Sequence, residues 1–359
     1  MLIYSFASLT FTSEIRDLTF RLDDGKSSLD FKLSVGSTVL HEERYYTTGS
    51  FVDVRDIRSI IEQYMRSNSV TLATFYIEAN GTTEAEFDVV YCSFASRQMS
   101  AEAFLQYNFL TTAKVKRIAP DGRDRLSFIG RYKDRATYYL FFTYTLGDSS
   151  QNFTTSKTYN ANTTLQATEL LEIEISIPQC ISFLKSKYGD TVNLLSVTVK
   201  ASDRSITYFI DKQQPDDVFF FRNIFNVIEM AQLHCVTTEK TKVSRSLAVC
   251  NGQASFYDQS TEKTYEVETS PLLLEEARWL EQMLHSHDVY HSPVGSAEAE
   301  DEIGCQSSIL ITDMTSEYQN GDSQLNTLKF TYRYADERPV IYFDEDPSVF
   351  DEPFTDPFA

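Results

Sequence analysis

A strand-helix-strand pattern that occurs twice, about 123 residues apart, constrains the fold of this chain more than any other feature. In the first copy, the alternating segment Phe51 to Val54 leads into a stretch with apolar residues at helical spacing (Ile57, Ile60, Ile61, Tyr64 and Met65), and a strand follows over Val70 to Ala79. The second copy has a strand over Leu171 to Ile177, a helix beginning at Pro178, and a strand over Val192 to Ala201. The pattern predicts two related β-sandwich domains. The alternative, that any sandwich with one crossover helix gives this pattern, stays open.

Alternation with period two predicts strands around both copies. Near the N-terminus the predicted hairpin series is Thr19 to Leu22, Leu29 to Val35 and Thr38 to Tyr46. Leu9, Phe11, Ile15 and Leu18 lead directly into it, so the first residues are interpreted as a β-strand rather than a signal peptide.

A longer module without this pattern begins at the apolar stretch Val218 to Glu229. Strands are predicted at Ser246 to Val249, Ala254 to Tyr257 and Lys263 to Val267, with turns at Asn251-Gly252 and Asp258 to Ser260. A helix is predicted to start with Ser270 as N-cap and Pro271 as first residue, with an apolar face of Leu273, Ala277, Leu280 and Leu284. Strands over Ser308 to Thr312 and Asn326 to Tyr334 close the module.

Composition agrees with a β-rich chain of several domains. The 359 residues include 26 Phe and 21 Tyr, and this length is enough for two to three domains. The predicted fold class is mainly β with a few helices (α+β): tandem β-sandwich domains, each with one amphipathic helix, plus an extended acidic C-terminal tail. The predicted boundaries are 1–113, 114–217, 218–342 and 343–359.

Charge and cysteine content narrow the function classes. The net charge of -20 disfavours nucleic-acid binding and favours a basic partner. The five cysteines are scattered without a CxxC pair, which indicates buried thiols rather than a disulfide framework or zinc site. No stretch of 18 apolar residues occurs, so membrane insertion is not predicted.

One basic segment interrupts the acidic chain, between Lys114 and Arg135. Two interpretations are open: a solvated hairpin around Pro120-Asp121-Gly122, or a docking surface for an acidic partner. The candidate residues of such a surface are Lys114, Lys116, Arg117, Arg123 and Arg125.

The C-terminus has a composition that builds no core. Residues 343–359 read FDEDPSVFDEPFTDPFA, with six acidic and no basic residues. Either this is a solubilising tail or it is a docking peptide that places Phe343, Phe350, Phe354 and Phe358 in apolar pockets of a neighbouring subunit or partner, its carboxylates near a basic patch such as Lys114 to Arg135.

Catalytic and metal motifs are weak, and no cofactor is predicted. His285, His287 and His291 with Asp288 match no strong zinc spacing and are interpreted as a polar loop after a helix. The SxxK match at Ser182 to Lys185 lacks its companion motifs. His234 and Cys235 are adjacent and, on a strand, would point to opposite faces. The chain is therefore predicted not to be an enzyme.

Several segments of the third module resemble uncharacterised structural proteins of tailed phages and prophages of gut Bacteroidetes. They are FRNxFxxxE from Phe221, KTKVxR from Lys240, YEVxTxPL from Tyr265, ITD from Ile311 and LxFxYxYAD from Leu328. The resemblance is clearest over Val218 to Asp336. It implies a late virion protein of the tail, at the baseplate or distal tail, made in the host cytoplasm and assembling into a homo-oligomeric ring with other tail proteins. The alternative function is a carbohydrate- or receptor-binding β-sandwich protein, which the aromatic content favours.

Overall fold

The computed structural model describes residues 1–3, 7–23, 25–95, 99–131, 134–147, 150–293, 307–316 and 326–336. Strands dominate these residues and helices are few, which confirms the predicted mainly-β, α+β class. The predicted acidic tail, 343–359, lies outside the described residues. The helices are α1 (Ile57–Ser67), α2 (Ala101–Tyr107), α3 (Ile177–Tyr188) and α4 (Leu274–His285).

The strands of the first block are β1 (Leu9–Phe11), β2 (Leu18–Arg21), β3 (Ser28–Val35), β4 (Thr38–Tyr46), β5 (Phe51–Val54), β6 (Leu72–Ala79) and β7 (Thr82–Val90). They form a sheet in the order β1-β7-β6-β3-β4, with β2 and β5 paired separately. The helix α1 begins two residues later than expected because Asp56 adopts a left-handed conformation (φ 62°). Its buried residues Ile57, Ile61 and Met65 share one face and pack into the core beside the sheet.

The second block repeats this pairing scheme. Its strands are β8 (Val115–Ile118), β9 (Arg123–Gly130), β10 (Arg135–Leu146), β11 (Phe153–Thr164), β12 (Glu169–Ser176), β13 (Val192–Ala201) and β14 (Arg204–Ile210). The sheet order is β11-β10-β13-β14-β8, and β9 pairs with β12 as β2 pairs with β5. In each block the first strand is parallel to the last and the other pairs are antiparallel. The two blocks therefore share one sandwich-like topology.

One predicted hairpin is wrong, and so is one of the two interpretations of the basic segment. β2 does not pair with β3 across Asp23 to Lys26, because β2 pairs with β5 and β3 pairs with β4. Likewise β8 and β9 are not a hairpin around Pro120-Asp121-Gly122: β8 joins β14 and β9 joins β12. In both cases the chain crosses from one layer of the block to the other, and the turn residues alone do not distinguish these connections.

The third module is built on one antiparallel sheet in the order β16-β15-β19-β20-β21-β18-β17. Its strands are β15 (Asp217–Arg222), β16 (Ile228–Leu233), β17 (Cys235–Cys250), β18 (Gln253–Thr269), β19 (Val289–Pro293), β20 (Ser307–Ser316) and β21 (Leu328–Tyr334). The predicted alternation of the last strand is confirmed, since Leu328, Phe330 and Tyr332 are buried. The helix α4 starts at Leu274 rather than after Ser270, so Leu273 precedes it and is exposed.

The turn between β15 and β16 joins the modules. Ile224, Phe225 and Val227 pack in a cluster with Phe11 and Val90 of the first block and with α2, a helix that the sequence reading missed. Asn226 donates to the carbonyl oxygens of Met65, within α1, and of Val70, just beyond its end (3.0 and 3.1 Å). The apolar stretch Val218 to Glu229 therefore connects the first block to the rest.

Candidate assembly interface

A long hairpin arm, formed by β17 and β18, projects from the edge of the third sheet. The neighbouring strand β21 pairs with β18 only over Tyr265 to Glu268. Beyond this, among the described residues, 240–250 pair only with 253–264, through a turn at Asn251 and Gly252 whose φ angles are both positive. At 3.3 to 3.4 Å per residue, the unsupported part is about 35 Å long.

The three strands predicted at Ser246 to Val249, Ala254 to Tyr257 and Lys263 to Val267 are parts of this one arm. The turn predicted at Asp258 to Ser260 is wrong. Those residues lie within β18, beside a register irregularity opposite Ser246 and Leu247. The sequence signal that indicates the arm is one Asn-Gly turn with strand-forming residues on both sides of it.

The two faces of the arm differ in chemistry. On one face, the cross-strand pairs near the tip are Val243 with Thr261, Leu247 with Phe256, and Val249 with Ala254. Further from the tip this face carries Arg245 opposite Gln259 and the ion pair of Lys263 with Glu239 (2.7 Å), and it reaches the core only at Val267. The opposite face carries pairs such as Lys242 with Glu262 and Ser246 with Asp258. The tip of the arm is therefore amphipathic.

Nothing in the described part of the chain covers the apolar face at the tip. Leu247, Val249 and Phe256 are 56%, 67% and 60% exposed. Arg245 of β17 lies over the ring of Phe256 of β18, 5.2 Å from its centroid. This contact links the two strands but leaves Phe256 largely exposed. An isolated hairpin is marginally stable in water at best, so this geometry suits a partner that buries the apolar face.

The root of the arm is held by a polar cluster centred on Asp217 of β15. Oδ1 of Asp217 lies 2.8 Å from Nε2 of His291, and Nδ1 of His291 lies 2.8 Å from the Tyr334 hydroxyl. Oδ2 accepts hydrogen bonds from Thr237 (2.6 Å) and Cys235 (3.3 Å), both on β17. Burial opposes ionisation, but the hydrogen bonds from His291 and Thr237 outweigh it and lower the pKa of Asp217. The cluster fixes the arm to the sheet.

A second exposed apolar patch lies on the outer face of the second sheet. Tyr139 and Phe141 of β10 and Phe209 of β14 are exposed there. Between them on β13 is Thr198, which is aligned with Phe141, and Lys200 lies over the Phe141 ring (5.1 Å from its centroid). This aromatic face and the arm tip are distinct surfaces of the same chain.

The predicted basic docking surface does not form one surface. Lys116 is buried in the core (3% exposed), whereas Lys114 is exposed and binds Asn108. Arg117 and Arg125 pair with Glu276 (3.0 Å) and Glu172 (3.5 Å), and Arg123 is exposed. Strand alternation sends Lys116 inward and Arg117 outward, which explains the division.

Lys116 instead belongs to a buried polar network between the second and third modules. Its Nζ lies 2.9 Å from Asp124 and 3.1 Å from Glu229. The Tyr208 hydroxyl donates to Asp124 (2.8 Å) and the Trp279 indole donates to Glu229 (2.8 Å). Burial alone would lower the pKa of Lys116, but the two carboxylates outweigh it and raise that pKa. The network therefore joins two modules and leaves Lys116 inaccessible to a partner.

The other predicted partner residues, Phe343, Phe350, Phe354 and Phe358, lie outside the described residues. The histidine group is split by the fold, because His291 lies within strand β19 rather than in a loop and binds Asp217. In the described ranges, no three His, Cys, Asp or Glu side chains converge as metal ligands would. Burial and Asp217 raise the pKa of Cys235 to about 12, which disfavours a nucleophilic thiolate there.

The sequence matches no protein-family model, and no curated protein matches it. Among the residues that the structure describes, no helix combines the length and apolar character needed to cross a membrane.

Proposed function

We propose that this chain is a non-enzymatic structural protein of a tailed-phage virion, at the distal tail or baseplate, which assembles into a ring through its hairpin arm. The observation that carries the proposal is the hairpin arm, whose apolar tip is covered by none of the described residues. The resemblance of the third module to phage tail proteins is the reason for proposing a tailed-phage virion.

The ring follows from the presence of two different exposed apolar patches. When one surface of a subunit binds a different surface of the next, the contact is head-to-tail, and it closes into a ring when the rotation allows. In this proposal the arm tip of one subunit packs against Tyr139, Phe141 and Phe209 of its neighbour. Burying aromatic and aliphatic side chains at the centre of an interface supplies most of its affinity.

The test is the mass of the full-length protein in solution by light scattering. We expect a closed oligomer for the native chain and a smaller species for the double variant L247D/F256D, because two charges would be buried at the tip contact. The matched control is S244D/S255D, which places the same charges on the polar face of the arm and keeps the oligomer. A native chain that stays monomeric at all concentrations, or an L247D/F256D variant that assembles normally, contradicts the proposal.

The pairing of the two patches has a separate test. Cys250 is exposed beside the turn of the arm, so a bismaleimide linker should join it to a cysteine introduced as T198C on the aromatic face of a neighbouring subunit. Replacing Cys250 by Ser in the same variant should abolish the linked dimer. The absence of any linked dimer that depends on both Cys250 and T198C would show that the arm does not reach this face.

The alternative function, carbohydrate or receptor binding, is favoured by one observation. Exposed aromatic rings on a flat sheet are a stacking platform, and Tyr139, Phe141 and Phe209 lie among threonine side chains on β10, β13 and β14. Glycan-array binding that is lost in Y139S/F141S, together with a native monomer, would favour this function over the ring.

A further inference from the structure

A groove at the junction of the first block and the third module lies away from the arm. Its volume is about 360 Å³, within the range of pockets that bind small ligands or single side chains. One wall includes Arg66, Tyr91 and Phe94 of the first block, and the other includes Arg222 and the end of α4 from Gln282 to Asp288.

The charge of the groove is positive and partly unpaired. Arg222 binds Asp288 (2.8 Å) and the carbonyl oxygen of Asn226 (2.9 Å). In contrast, Arg66 forms no ion pair with any carboxylate among the described residues and is exposed. This differs from the basic segment at Lys114 to Arg135, where Lys116, Arg117 and Arg125 already have carboxylate partners.

The groove also presents an aromatic side chain. Phe94 is 51% exposed on its first-block wall, beside the buried Ile224 and Tyr91. A ligand that fits this lining carries carboxylates for Arg66 and an aromatic ring that packs edge-to-face or offset against Phe94.

The chain itself contains a segment of this chemistry. The C-terminal residues repeat a Phe followed by acidic residues and a Pro: FDEDP from Phe343, FDEP from Phe350 and FTDPF from Phe354. The described chain leaves the third sheet after Asp336, where Tyr334 pairs with Ile309 and Ile309 pairs with Val289, the residue after Asp288 in the groove. The exit point is thus two strands away, about 10 Å across the sheet, and the remaining 23 residues (337–359) can extend to about 75 Å.

We propose that the acidic C-terminal segment, residues 343–359, binds in this junction groove of its own chain. A phenylalanine packs against Phe94 and Ile224, and the acidic residues following it face Arg66. The segment then bridges the first block and the third module and stabilises their relative position. This proposal does not depend on the arm or on the ring.

The test uses the full-length chain with a photoreactive benzoylphenylalanine in place of Phe94. After irradiation, peptide mapping should find the cross-link in the segment 343–359. The matched control places the same group at Phe209, which is also 51% exposed but lies on the second sheet, and this position should not react with the segment.

Charge reversal then distinguishes the two basic regions. We expect R66E to reduce the cross-link several-fold and R123E, in the Lys114 to Arg135 segment, to leave it unchanged. High salt should weaken the cross-link because partly exposed charges are screened. The proposal is overturned if the group at position 94 never reacts with residues 343–359, or if R123E rather than R66E removes the cross-link.

Discussion

At the scale of single residues, burial decides what a charged side chain can do. Lys116 and Lys114 are two positions apart in a basic segment, yet Lys116 pairs with Asp124 and Glu229 in the core while Lys114 is exposed. Removing a charge from such a network leaves the others uncompensated in a medium of low polarity, which costs far more than removing an exposed charge.

We predict that Lys116→Met lowers the free energy of unfolding by about 3 to 5 kcal/mol, because two buried carboxylates lose their cation. Urea denaturation followed by tryptophan fluorescence measures this directly, since Trp279 donates to Glu229 within the same network. Lys114→Met is the matched control and should change the stability by less than about 0.5 kcal/mol. Equal effects of the two variants would show that the network does not stabilise the fold.

At the scale of elements, the position of the arm depends on the hydrogen bonds that hold its root to the sheet. Asp217 accepts from Thr237 and Cys235 on β17 and contacts His291 on β19, so one carboxylate joins three strands. The projecting part has its own cross-strand pairs, such as Lys263 with Glu239 (2.7 Å), but these are exposed and contribute little.

Low pH should weaken the hydrogen bonds that Asp217 makes at the root of the arm. The pKa of Asp217 is lowered in the folded chain from its ordinary value of 3.8, so its contribution is complete above that value and is lost as the pH falls through the lower folded pKa. We predict that Asp217→Asn destabilises the protein by about 1 to 3 kcal/mol at pH 7 and reduces the loss of stability below pH 3.8. The measurement is the urea midpoint from pH 7 to pH 3.

Asp258→Asn is the control for that experiment, because Asp258 is exposed on the arm. It should follow the native pH profile. If Asp217→Asn also follows the native profile, the root carboxylate does not contribute to the acid sensitivity.

At the scale of the whole molecule, the described chain has separate cores. One contains Phe31, Phe75 and the buried face of α1, all within the first block. Another runs without interruption from the second block into the third module, from Phe109 to Tyr332. A smaller cluster around Phe11 and Phe225 connects them.

We predict two calorimetric unfolding transitions, one for the first block and one for the second block together with the third module. Phe75→Ala should lower the free energy of unfolding of the first unit, and Phe219→Ala that of the second, each by about 3 to 5 kcal/mol. The reason is that each ring is fully buried in a different core. A single transition that both variants shift equally would show that the small connecting cluster makes the whole chain one cooperative unit.

Local patterns in the sequence determined the elements whose cause is local. The alternation of Leu328, Phe330 and Tyr332 and the helical spacing of Ile57, Ile61 and Met65 each place one face in a core, and the structure has these faces buried. Tertiary structure decided the pairing of β2 with β5, the inward position of Lys116 and the free length of the arm. The physical reason is that strand partners and burial depend on residues distant in sequence: neither a turn residue at Asp23 nor a charge at Lys116 specifies which strand or carboxylate lies across from it.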